Sequence, residues 1–190
     1  MDSRNYLNED LTYGEVNQRV HPKVIMVRSQ PVNPDVRIEK EAETLSMAGF
    51  DVIILGWGKS GKKSVRLEKR SGYLIRRFQF LATWGKKVVF FLPFWWIFET
   101  GWLLKNQWDI VHAADFDTLV PALIVAKLKR KYIIYDIFDY YAESTPMPHI
   151  LRAILGRLDR YLMNYVDKII VVDPSRLKQI GRENDSTVAV

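Results

Sequence analysis

Residues 135–143, Tyr-Asp-Ile-Phe-Asp-Tyr-Tyr-Ala-Glu, follow directly on the apolar run Tyr132-Ile133-Ile134. They set the carboxylates of Asp136, Asp139 and Glu143, among three tyrosines, where a buried strand would run out. In open α/β sheets, ligands bind in the crevice outside the carboxyl ends of the strands, so polar side chains gathered there point to a binding site. The competing reading is a polar strand-to-helix connection whose acids only cap and turn the chain.

Other stretches invite a chemical reading. Residues 56–63, GWGKSGKK, meet the spacing of a dinucleotide-binding glycine loop and most of a P-loop. Both motifs need a helix whose N-terminal amides face phosphate. The following residues carry no helical stripe, Arg76 and Arg77 stand where the first motif expects an acid, and Lys63 stands where the second needs a hydroxyl. His112 reads either as a hydrogen-bonded core histidine or as a base with Asp115 as its nearest partner. No Ser-His-Asp order and no usefully spaced glutamate pair stand out.

Composition narrows the classes. The chain of 190 residues is 48% hydrophobic and 26% charged, enough for one globular domain over residues 21–190 behind a flexible leader, 1–20. It has no cysteine, which excludes disulfides and thiolate metal sites. His21, His112 and His149 are too scattered to suggest a metal cluster, so no metal or other cofactor is expected. The polar opening carries no signal peptide, and a cytoplasmic location is expected.

Lys and Arg number 28 against 22 Asp and Glu, with much of the excess between residues 59 and 87. That patch, Lys62, Lys63, Arg66, Lys69, Arg70, Arg76, Arg77 and Lys86 included, suits a phosphorylated substrate, anionic lipid or nucleic acid, or is simply a solvated face. Of these, nucleic acid is the least favoured partner. Residues 88–104 are dense in aromatics, fall short of the ~20 residues that span a bilayer, and are interrupted by Pro93 and Glu99. They read as core helices, or as an interfacial surface with tryptophans at headgroup depth.

Around these residues the elements alternate. Apolar runs predict strands at 23–29, 51–55, 73–80, 109–115, 131–136 and 168–172, with another beginning near 186. Asp35 is placed to cap a helix in which Ile38, Ala42, Leu45 and Ala48 recur before Gly49. Residues 81–104 look mainly helical, with Pro93 bending or beginning a helix. Asp117 could cap a further helix with Pro121 in its first turn. Residues 149–166 form the clearest helix, with Ile150, Leu151, Ile154, Leu155, Leu158, Leu162 and Val166 on one face, and Pro174 opens the last. The sum is a Rossmann-like, three-layer α/β domain with a mostly parallel sheet of six or seven strands.

Three segments, in order, carry a family likeness. Residues 33–57, NPDVRIEKEAETLSMAGFDVIILGW, resemble the first loop, helix and second strand of group 1 (family 4) glycosyltransferases. Residues 108–143 are similar to the region of that family ending in its Tyr-Asp-x-His-Glu signature. Residues 158–175, LDRYLMNYVDKIIVVDPS, resemble the helix and strand that follow. The resemblance runs from about Lys23 to Ser175 and implies the N-terminal, acceptor-side half of a two-domain GT-B enzyme. The donor-binding half has no counterpart in this sequence, and its absence is expected to leave the chain inactive by itself.

The resemblance further implies retaining transfer from a nucleotide-sugar to a hydroxyl, without a required metal. Cleft residues are expected to be Arg28, Ser29, Asp35, Arg37, His112, Asp115, Asp117, Asp136, Asp139 and Glu143. Arg28 and Arg37 could hold an acceptor phosphate or carboxylate. Partners would be a glycosyl acceptor, lipid-linked if the basic and tryptophan-rich stretches meet an anionic membrane, and a separate donor-binding chain. The departures bear on activity: Phe138 stands where the family has its signature histidine, Asp139 follows in place of a glutamate, and Asp159 replaces a helix glutamate. Phe138 favours the alternative of a non-catalytic subunit or binding module.

Overall fold

A computed structural model describes residues 21–61, 65–83, 85–138, 149–183 and 185–190. The expected leader and the carboxylates of Asp139 and Glu143 lie outside those residues. The strands are β1 (Lys23–Arg28), β2 (Asp51–Trp57), β3 (Leu67–Lys69), β4 (Tyr73–Phe78), β5 (Ile110–Ala114), β6 (Tyr132–Ile137), β7 (Lys168–Val171) and β8 (Val188–Ala189). They form one sheet in the order β3-β4-β2-β1-β5-β6-β7-β8, parallel throughout except between β3 and β4. Among the described residues the sheet therefore has eight strands, against an expectation of about six or seven. The unforeseen β3 is three residues of which two are charged, a short edge with no apolar signal to announce it.

Helices α1 (Val36–Met47), α2 (Leu92–Lys105), α3 (Phe116–Lys129), α4 (His149–Leu162) and α5 (Ser175–Ile180) complete the layers. Ile38 and Ala42 of α1 pack with Val24, Met26, Ile54 and Ile75 on one face of the sheet. The other face buries Ile25, Val27, Leu55, Trp57, Val111 and Tyr135 beneath α2, α3 and α4. Burial on both faces explains why the central strands read as continuous apolar runs. Strand order turns about β1, between β2 and β5, which opens a crevice at the carboxyl ends of β1, β5 and β6.

Local chemistry corrects several helix expectations. Pro93 is the second residue of α2 and begins it, after a 3-10 stretch at Gly85–Phe91. Helix α3 starts at Phe116 with Asp115, not Asp117, at the N-cap, so Pro121 lies inside the helix rather than in its first turn. Proline has no N–H for the carbonyl four residues back. Here that carbonyl, Asp117 O, accepts instead from the Trp96 indole N–H at 2.7 Å, and α3 continues to Lys129. The clear helix ends at Leu162 and passes into a 3-10 turn, Met163–Tyr165. Its stripe is also split: Leu155 and Leu162 pack on the core, whereas Ile150, Ile154 and Leu158 are exposed.

The glycine loop has a structural use. Gly56 lies within β2, and a Cβ there would come 3.1 Å from Gln30 O and 3.2 Å from Val32 Cγ2. The residue is small because the loop leaving β1 crosses it closely. The next element after the loop among the described residues is the strand β3, not the helix either phosphate motif requires.

Candidate functional site

The crevice at the ends of β1, β5 and β6 gathers most of the expected residues into a closed network. Arg28 ends β1, where its Nε–H donates to Asp35 Oδ2 at 2.9 Å and its Nη1 donates to Asp115. Asp35 occupies the N-cap position of α1, yet its side chain serves Arg28 rather than the helix. The helix end is covered the other way, by Glu39 Oε1 accepting the Asp35 N–H at 2.8 Å. Asp115 sits at φ 69, a backbone region that non-glycine residues seldom enter. Three bonds hold it there: its N–H donates to Asp136 O, its Oδ1 accepts the Phe138 N–H at 3.0 Å, and Oδ2 accepts from Arg28.

Arg37, in the first turn of α1, donates through Nη2 to Asp136 and through Nε to Glu41 Oε1 at 3.1 Å. Asp136 is fully buried, and its second oxygen lies 3.1 Å from His112 Nε2. His112 therefore pairs with Asp136, and not with Asp115 as the sequence suggested. The pleat explains the change: His112 and Asp136 lie on the same face of adjacent strands β5 and β6. Glu41 Oε2 approaches His112 Nε2 at 3.8 Å, and burial followed by the charge of Asp136 raises the Glu41 pKa. One ligand atom each from Glu41, His112 and Asp136 lie within 4.8 Å of one another, a spacing that could hold a metal ion. Arg37 already donates to both carboxylates, so a cation would have to enter against a guanidinium.

Phe138 lies between the two arginines. Its ring centroid is 4.3 Å from Arg28 Cζ and 3.9 Å from Arg37 Cζ, a double cation–π contact. Each guanidinium thus faces two carboxylates and one aromatic ring. An anionic ligand at either arginine would meet two carboxylates already in place.

The other half of the crevice is less neutralised. Ser29 Oγ–H donates to Asp117 Oδ2, while Asp117 Oδ1 is buried with no partner among the described residues. Burial pushes the Asp117 pKa up to about 6 against the Ser29 hydrogen bond. Behind it Lys59 is buried, with Nζ 3.2 Å from Gln30 Oε1 and 5.2 Å over the Trp57 ring. Burial lowers its pKa. Asp117 thus keeps one carboxylate oxygen unspent, beside a buried cation.

Sequence reasoning missed Glu41 and Lys59. Glu41 was findable, since it stands four residues after Arg37 on one helix face. Lys59 was not, because nothing in a run of lysines marks the one that turns inward.

Away from the crevice, Asp159 on α4 accepts the buried Tyr135 hydroxyl at 3.0 Å. Burial pushes the Asp159 pKa up to about 6. A raised carboxyl keeps its proton in the native state where the unfolded chain has released it, so stability falls as pH rises from about 4 to about 6. Replacing Asp159 with Asn, which keeps an acceptor for Tyr135, is expected to flatten that part of the urea-midpoint profile and to add about 1–2 kcal/mol at pH 7. An unchanged slope would place the ionised form in the native protein.

By sequence, no family model and no curated protein matches the chain. By structure, sucrose-phosphate synthase from Thermosynechococcus elongatus matches over 89% of this chain and 47% of its own, with TM-score 0.66 at 11% identity. The fold is that of one half of a GT-B glycosyltransferase. A glycosyltransferase from Rickettsia africae (TM-score 0.54, 14% identity, 90% of this chain and 42% of that one) has the same arrangement. So does the calicheamicin glycosyltransferase CalG4 (0.52, 12%, 90% and 52%). The chain spans about half the length of these proteins and fits the N-terminal half of GT-B.

Proposed function

We propose that this chain is the acceptor-side half of a retaining GT-B glycosyltransferase, serving hexosyl transfer from a nucleotide-sugar to a hydroxyl. The observation that carries the reading is the Ser29–Asp117 pair at the switch-point crevice, with its unpartnered buried oxygen. Support also comes from the GT-B half fold and from Asp136 standing at the end of β6, where the resembling family keeps its signature aspartate. The charged remainder, Arg28, Asp35, Arg37, His112, Asp115 and Asp136, would be scaffold that sets the crevice rather than ligand contacts.

Surface plasmon resonance of the purified chain against a panel of oligosaccharides and lipid-linked glycans tests this. At least one glycan is expected to bind, and Asp117→Ala is expected to weaken it about 10- to 100-fold, the worth of one or two hydrogen bonds. UDP- and GDP-hexoses are expected not to bind. Tight nucleotide-sugar binding, or turnover by this chain unaided, would overturn the acceptor-side reading.

Phe138 favours a second reading, a non-catalytic subunit or binding module. A ring clamped between Arg28 and Arg37 supplies none of the hydrogen bonding of the family histidine. Sugar transfer by the protein purified from its source, together with any donor-binding chain that accompanies it, separates the two.

A further inference from the structure

We propose that the outer face of α2 and α3 docks on an anionic lipid bilayer, with α2 lying along the surface rather than crossing it. The inference is independent of the sugar chemistry proposed above. Lys87–Lys105 is, among the described residues, the one helix long and apolar enough to span a membrane by length and composition. Its inner side forbids spanning. Trp95, Glu99 and Leu103 are fully buried, and Trp95 stacks on Trp57 of β2 with ring centroids 5.8 Å apart. Pulling α2 through a bilayer would empty the core over β2.

Its outer side is equally apolar and uncovered. Phe90, Ile97 and Leu128 are 75, 71 and 71% exposed, and Phe94, Leu104 and Ile124 are also exposed. Phe94, Ile97 and Leu104 share one helix face, and Ile124 and Leu128 extend it across to α3. Between the helices an apolar groove of about 500 Å³ runs along Pro93, Ile97, Gly101, Pro121 and Ile124. A contiguous apolar surface of this kind marks an interaction site.

Charge selects the occupant. The 3-10 stretch, α2 and α3 together hold five lysines (Lys86, Lys87, Lys105, Lys127 and Lys129) and two acids. Glu99 is fully buried and Asp117 turns in to Ser29, so these elements expose no carboxylate. Lys127 pairs with Asp167 and Lys129 donates to the carbonyls of Leu103 and Asn106, which leaves the exposed Lys87 and Lys105 beside the apolar stripe. A second copy docking face to face would bring lysines against lysines, whereas phosphate headgroups around an inserted Phe/Ile stripe pair with them. The expected role of the tryptophans changes accordingly. Trp95 and Trp108 are core and Trp96 serves Asp117 O, so phenylalanine and isoleucine supply the inserting surface.

Vesicle co-sedimentation of the chain tests the proposal. Binding is expected to phosphatidylglycerol/phosphatidylcholine vesicles, about tenfold or more above pure phosphatidylcholine, and to weaken as salt screens the lysines. Phe90→Glu with Ile97→Glu is expected to abolish it with an unchanged thermal melt, both residues being exposed. Lys87→Glu with Lys105→Glu, which leaves the apolar stripe intact, should weaken it about tenfold or more. Equal binding to neutral vesicles, resistance of the bound chain to alkaline carbonate extraction, or a dimer in solution that the Phe90/Ile97 variant dissolves would each overturn the proposal.

Discussion

Replacing Glu99 with Met is expected to stabilise the protein by about 2–4 kcal/mol near pH 8, and by much less near pH 5. Glu99 is fully buried, and both of its carboxylate oxygens lack a hydrogen-bond partner among the described residues. The indole N–H of Trp95, one turn earlier, lies close enough to hold the Glu99 pKa down a little, but no well-aligned hydrogen bond forms between them. Burial first, and then the charge of Asp117, push the Glu99 pKa well above the usual range. The native state therefore holds a proton that the unfolded chain releases above a pKa of about 4.3. With a raised carboxyl the stability is highest in acid and declines with pH until the native pKa is reached. Holding that proton at pH 7 costs up to about 3–4 kcal/mol. Methionine has nearly the same length, no charge and no polar hydrogens, so the cost vanishes while the packing stays. Urea unfolding of both proteins at the two pH values measures it. A variant no more stable than the parent at pH 8 would mean that Glu99 is ionised and paired.

Arg77→Ala is expected to cost about 2–4 kcal/mol, from lost packing of a buried side chain and from a buried carbonyl left without its donor. The sequence placed Arg77 in a basic patch. It is instead 3% exposed, with Nη2 2.8 Å from Glu68 Oε2. The same guanidinium donates to the carbonyls of Pro31, Val32 and Val65, and alanine would leave that of Val32 buried and unpaired. Val32 sits at φ 52, a conformation in which a β-branched residue is an outlier. Arg77 thus fixes, from the β4 side, the loop between Ser29 and Asp35 that forms one wall of the crevice. Arg77→Lys should recover only part of the loss, because one ammonium cannot replace a fork of donors. Lys69→Ala, an exposed member of the same patch, should stay within about 0.5 kcal/mol. Urea midpoints rank the three; an Arg77→Ala midpoint close to that of Lys69→Ala would show that the loop holds itself.

Much of the fold was legible in the chain. Runs such as Val-Ile-Met-Val at 24–27 and Ile-Ile-Leu at 53–55 suit strands of a parallel sheet covered on both faces, and the helices between them carried caps and stops. The short strand β3 was not legible, since Leu-Glu-Lys offers no pattern. Helix α3 was misplaced because its proline looked like a starting residue, and the donor that lets Pro121 sit deeper, Trp96, comes from another helix. In the crevice, Asp136 was recognisable from its position at a strand end, whereas its partner His112 was assigned to Asp115 because sequence distance favoured the nearer acid.

The amino-acid sequence by itself determined the order of the elements, the doubly covered parallel sheet and the strand ends at which polar residues collect. Those follow from periodicity and turn chemistry, which act over a few residues at a time. The tertiary structure alone decided which charges meet. Arg28 finds Asp115 across 87 positions and Arg37 finds Asp136 across 99, because β1 lies between β2 and β5. It also decided which cation of the basic patch is buried and which side of the aromatic helix faces out. Local pattern cannot carry that information, since a lysine on the surface and an arginine that locks a loop are preceded by similar residues.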